Sequence, residues 1–207
     1  MDWYQGKRRE PLLPGRQVTL GAQDFIIPTP SCARWLEALQ QARWHNNLLE
    51  AEIAIAAVVT AANYLDMTSD EIAENLTPAE VRTLLTDING DDNKIHGIHD
   101  ALASVDLTVG MEIEWIGGGT RCVPLLDAAL IKPFCEEMLA GRDVPLLTSE
   151  GLPIVLKIVC ASMRRKYPTL NVEELAEHLS TAEIRRLWPA LLGFLDLSFN
   201  TTSTRGN

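Results

Sequence analysis

Residues 68–84, TSDEIAENLTPAEVRTL, return in altered form at 171–187, NVEELAEHLSTAEIRRL. Aligned without a gap, eight of the 17 positions are identical: Glu71/Glu174, Ala73/Ala176, Glu74/Glu177, Leu76/Leu179, Ala79/Ala182, Glu80/Glu183, Arg82/Arg185 and Leu84/Leu187. Asp70/Glu173, Ile72/Leu175, Thr77/Ser180 and Val81/Ile184 are close substitutions. What recurs is a set of helix caps and apolar positions, with no reactive residue held in common. That points to repeated architecture rather than catalysis, and so to a binding or assembly protein.

The surroundings of the two stretches match in order. Val18 and Leu20 alternate with polar neighbours in RQVTLGAQDFIIP (16–28), as in a strand with one buried face, and Gly21-Ala22-Gln23 marks a hairpin turn. A helix is expected over about 31–42, capped by Ser31 or Thr29, with Trp35, Leu36 and Leu39 at helical spacing. A long helix over 47–64 is apolar almost all round, through Leu48, Leu49, Ile53, Ile55, Ala56 and Val59, the pattern of a central helix. Thr68-Ser-Asp-Glu71 and Thr77-Pro78-Ala79-Glu80 are capping boxes, each opening a short helix.

In the second copy, MEIEWIGGGTRCVP (111–124) reads as a hairpin. Ile113 and Ile116 lead in, Gly117-Gly118-Gly119 turns, and Cys122-Val123-Pro124 leads out. A helix is expected over 126–140, stopped by Gly141, and a central helix over 150–166. Asn171–Glu174 and Ser180–Glu183 repeat the boxes. The offset of 96 residues at the hairpins and 103 at the helices implies a seven-residue insertion. The expected fold is α+β, mostly α-helical, with two tandem copies of a β-hairpin plus helices unit. A flexible tail over 1–15 precedes unit 1 at 16–107, which ends in a joint, 87–108, that reaches the first residue of unit 2 and holds a short helix from His96 to Val105. Unit 2 occupies 108–197, and a disordered tail 198–207.

Charge narrows the partners. A net charge of −10 repels phosphate backbones, so no nucleic-acid partner is expected, and Arg164-Arg165-Lys166 falls where cations complement a helix C-terminus. No apolar run approaches the length of a membrane span, and the N-terminus lacks a secretory h-region, so a cytosolic location is expected and no membrane partner. Cys32, Cys122, Cys135 and Cys160 lack CxxC spacing and read as small buried hydrophobes.

Local chemistry is sparse. The run Asp87–Asn93 crowds oxygen ligands around Gly90 but departs from the EF-hand spacing, and reads as a solvated turn. His96 and His99, with Asp91, Asp92 or Asp100, offer a metal-site alternative near the joint, although no HExxH accompanies them. The three glycines lack the Lys-Ser/Thr and the helix of a phosphate loop. No catalytic, cofactor or metal residues are assigned. Among the tryptophans, Trp35 and Trp115 are expected in the core, and Trp188 before Pro189 at a break in the last helix. Trp3, Tyr4, Trp44 and Trp188 are the candidate partner-binding residues; Trp3 and Tyr4 stand in a polar tail, where exposed aromatics anchor partners.

The half-unit resembles the tail assembly chaperones of tailed bacteriophages. The motifs are the hairpin Val18-Thr-Leu-Gly21 to Ile26-Ile27-Pro28, the segment Pro168-Thr-Leu-Asn-Val-Glu-Glu-Leu175 to Leu179, and Ala190-Leu-Leu-Gly193. They span most of 16–90 and 111–197, and the duplication departs from the single unit usual in that family. The resemblance implies a non-enzymatic protein of the host cell cytoplasm that binds the tape measure protein or other tail proteins, without a cofactor and with possible self-association. The alternatives are a virion structural protein, such as a minor tail or head–tail connector component, and an enzyme with a metal site near His96 and His99.

Overall fold

The computed structural model describes residues 13–20, 23–64, 67–89, 110–124 and 146–188. The fold is α+β and mostly helical, with two small antiparallel sheets of two strands each. Contacts divide the chain into two compact units, Met1–Asp92 and Asn93–Asn207.

In the first unit, β1 (Arg16–Leu20) pairs with β2 (Gln23–Ile27), with Val18 opposite Phe25 and Leu20 opposite Gln23. Side chains alternate across a strand, so Val18, Leu20, Phe25 and Ile27 share the buried face. Gly15 lies so close to the exit of β2 that a Cβ there would sit 2.3 Å from the Ile27 carbonyl oxygen. Helix α1 (Cys32–Ala42) is capped by Ser31, whose hydroxyl accepts the Arg34 N–H at 3.2 Å. Its buried stripe is Cys32, Trp35, Ala38 and Ala42.

Helix α2 (Leu48–Thr60), capped by Asn47, packs against α1 and against two shorter helices, α3 (Ser69–Asn75) and α4 (Pro78–Asn89). It is four residues shorter at its C-terminal end than the apolar pattern predicts. Only its second half is well buried, at Ala54, Ala56, Val58, Val59 and Thr60. The turn that follows is polar for a reason. The Tyr64 hydroxyl accepts the Ile26 N–H, and the Asn63 amide donates to the Ile26 and Leu13 carbonyls while accepting the Leu13 N–H. Both capping boxes form: Glu71 reaches back to the Thr68 N–H at 2.8 Å and Glu80 to the Thr77 N–H at 2.8 Å. Ile72, Val81 and Leu84 then point inward.

In the second unit, β3 (Met111–Glu114) pairs with β4 (Thr120–Val123), with Ile113 opposite Arg121 and Glu112 opposite Cys122. The link is a five-residue loop in which Gly117, Gly118 and Gly119 all take positive φ, a region closed to most side chains. Ile116, expected to lead into the turn as part of the strand, lies in this loop. Its N–H donates to the His178 carbonyl at 2.8 Å rather than to the ladder. Gly110, with φ of 101°, repeats the close approach of Gly15: a Cβ would sit 2.3 Å from the Val123 carbonyl oxygen.

Helix α5 (Gly151–Met163) is the core helix of this unit, with Leu152, Leu156, Val159 and Met163 fully enclosed. It ends three residues before the expected 166, and Arg164, Arg165 and Lys166 form the exposed turn beyond it. Helix α6 (Val172–His178) is capped by Asn171 and buries Leu175, and helix α7 covers 181–188 with Ile184 and Leu187 inward. Neither expected box of this unit takes the reciprocal form: Asn171 accepts the Glu174 N–H at 2.7 Å, with no return bond from Glu174. Ser180 accepts the Glu183 N–H, but the Glu183 carboxylate turns to Arg186 and to the Glu114 N–H at 3.3 Å. The Tyr167 hydroxyl accepts the Cys122 N–H at 3.3 Å.

The two units thus show hairpin, 13-residue helix, seven-residue capped helix and a further helix in the same chain order. The expected helices over 126–140 and from His96 to Val105, and both tails, lie outside the described residues.

Candidate functional site

Two surface features collect side chains suited to recognition, one in each unit. The first is the corner between α1 and α2. Helix α1 stops at Ala42, and its last carbonyls are taken by turn amides: Trp44 N–H donates to Gln41 O and His45 N–H to Ala42 O. Asn47 then restarts the chain as a cap. This tight passage turns Trp44 outward, at 76% exposure, and leaves Leu48 in the first turn of α2 at 69%. Arg43 lies over the indole at 5.0 Å, and His45 faces Glu50 at 3.6 Å. An indole and a leucine four residues apart, ringed by charged groups, form a small apolar patch with a polar rim.

The second feature is a cleft of about 200 Å³ in the second unit, lined by Trp115, Arg121, Met163, Tyr167, Leu170 and Glu174 among others. Planar groups gather at one side of it. The His178 ring lies parallel to Trp115, with centroids 5.0 Å apart and 11° between planes. The Arg121 guanidinium sits 5.5 Å from the Trp115 centroid and 5.6 Å from that of Tyr167. Rings on either side favour a guanidinium electrostatically while leaving its in-plane N–H edge for hydrogen bonds.

Of the candidate partner-binding residues, Trp44 is solvent-facing, and Trp188 is half-buried at the end of α7. Trp3 and Tyr4 lie outside the described residues, as do His96, His99, Asp91, Asp92 and Asp100. Trp35 is buried, whereas Trp115, expected in the core, is half-buried because its ring forms part of the stack. Nothing in the sequence reading singled out Arg121, Tyr167 or Leu48. The signal for Arg121 was a cation in a strand slot facing the same way as Ile113.

Of the described cysteines, Cys32 and Cys160 are poor nucleophiles, and Cys135 lies outside the described residues. Burial pushes the Cys32 thiol up to about 12 and also raises that of Cys160. Cys122 is buried as well. Among the described residues, no three His, Cys, Asp or Glu side chains converge as metal ligands, and no helix is long and apolar enough to cross a membrane.

No protein-family model matches the sequence, and comparison with curated proteins and with solved structures gives no match.

Proposed function

We propose that this chain is a non-enzymatic carrier of another polypeptide, a phage tail assembly chaperone whose partner is the tape measure protein, acting in the host cell cytoplasm. The observation that carries the reading is the exposed pair Trp44 and Leu48. Large apolar groups in water are costly, and an aromatic anchor with a polar rim is the usual anatomy of a polypeptide-binding spot. A long helical partner with apolar stripes would lay such a stripe across the α1–α2 corner. The acidic surface, at net −10, would keep the complex soluble. Two related units in one chain, if they arose by duplication, would raise effective concentration along an extended partner.

The test is co-expression with a tape measure protein encoded beside this chain. The expected outcome is partner retained in the soluble fraction by the wild-type chain and lost with the Trp44→Ala/Leu48→Ala double variant. Unchanged partner solubility with and without the wild-type chain would sink the proposal.

A further inference from the structure

The two hairpins carry an internal comparison. In the first, the residue before Ile26 is Phe25, which pairs across the ladder with buried Val18. Phe25 is itself only 3% exposed and packs edge-on against Tyr64 at 5.2 Å. In the second, the residue before Cys122 is Arg121, which pairs with buried Ile113 and sits over Tyr167. Ile26 and Cys122 donate their N–H groups to those same two tyrosine hydroxyls. The slot that holds a core phenylalanine in one unit therefore holds an exposed arginine in the other, and beside it a cleft opens. A guanidinium on the core-facing side of a hairpin forgoes the burial that a phenylalanine would supply there.

We propose that this cleft binds a carboxylate carried by a polypeptide, with Arg121 as its recognition residue. Among the described residues the Arg121 guanidinium makes ring contacts and no ion pair. Its N–H fork matches a carboxylate in two-point geometry, and the rings fix that fork before the ligand arrives. Met163 and Leu170 supply an apolar floor for the methylenes behind the carboxylate, and Thr169 a hydroxyl. Glu174 also lines the cleft, and its negative charge selects a singly charged group over a phosphate dianion. This site belongs to the second unit and the Trp44 corner to the first, and its test uses no tape measure protein.

The experiment is a solution NMR titration of the full chain, following the Trp115 indole N–H and the Arg121 Nε–H. The probes are N-acetyl-glutamate N-methylamide for a side-chain carboxylate and N-acetyl-phenylalaninate for a chain terminus. N-acetyl-glutamine N-methylamide and inorganic phosphate are the controls. Saturable shifts with at least one carboxylate and weaker ones with both controls are expected, and the tighter carboxylate names the source. Arg121→Gln should weaken that binding by about tenfold or more, the usual worth of a charge-assisted pair. Arg121→Phe, which copies the first unit, should abolish binding while raising the melting temperature. An equal response to the glutamine probe, a stronger one to phosphate, no saturable shift with either carboxylate, or full binding by Arg121→Phe would each overturn the proposal.

Discussion

The Tyr64 hydroxyl accepts the main-chain N–H of Ile26 at 2.7 Å, and so joins the turn after α2 to the outer edge of β2. Tyr64 is buried, so no water stands ready to replace it. Tyr64→Phe should therefore leave a buried donor unpaired, at a cost of about 1–3 kcal/mol. Tyr167→Phe, at a half-buried ring with a 3.3 Å bond, should cost less, about 1 kcal/mol. Chemical denaturation of both variants checks the order, and an equal or reversed ranking would contradict it.

Gly15 and Gly110 each lie against the carbonyl that precedes a proline. An added methyl at 2.3 Å from backbone oxygen forces the hairpin apart, so Gly15→Ala should destabilise by about 1–3 kcal/mol. Gly110→Ala should cost more, because its φ of 101° adds backbone strain to the clash. Thermal melts of the two variants give the comparison.

The alkaline limb of stability should carry the signature of Cys32. Its folded thiol is raised to about 12 from 9.0, so the folded state holds a proton that the unfolded chain releases. That stability is complete below pH 9, and it is lost as pH rises from there towards 12. The Cys32→Ala variant should show a flatter decline over that window in denaturation measured at stepped pH. Mass-resolved alkylation at pH 8 should leave Cys32 and Cys160 unmodified until the chain unfolds.

Trp44→Ala should barely move the melting temperature, since the indole is three-quarters exposed and exposed sites lie within about 0.5 kcal/mol. The same change should weaken capture of a helical partner. A large loss of stability would show that the indole serves the fold instead.

What the sequence disclosed tracks how local each interaction is. The boxes at Thr68–Glu71 and Thr77–Glu80 involve residues three apart, and both form as read. Glu183 occupies the matching position, but Arg186 and the Glu114 amide, one of them far along the chain, compete for its carboxylate. Ile116 breaks the alternation of Met111, Ile113 and Trp115, and it lies in the loop that three glycines at positive φ widen, outside the ladder. Leu48 follows the apolar pattern of α2 but lies in its first turn, ahead of the buried stretch that begins at Ala54. Trp44 was named as a binding candidate, and its 76% exposure follows from the break between α1 and α2. Arg121 was not, because its meaning depends on Tyr167, 46 residues away, and on a comparison with Phe25.

The β3–β4 ladder has both flanks engaged. On one side the Glu114 amide and the Glu112 carbonyl meet Glu183 and Arg186, and on the other the Cys122 amide meets Tyr167. An incoming extended peptide would find these main-chain groups already committed, so strand addition at this hairpin is closed. The same arrangement guards against sheet-to-sheet polymerisation between copies of the chain.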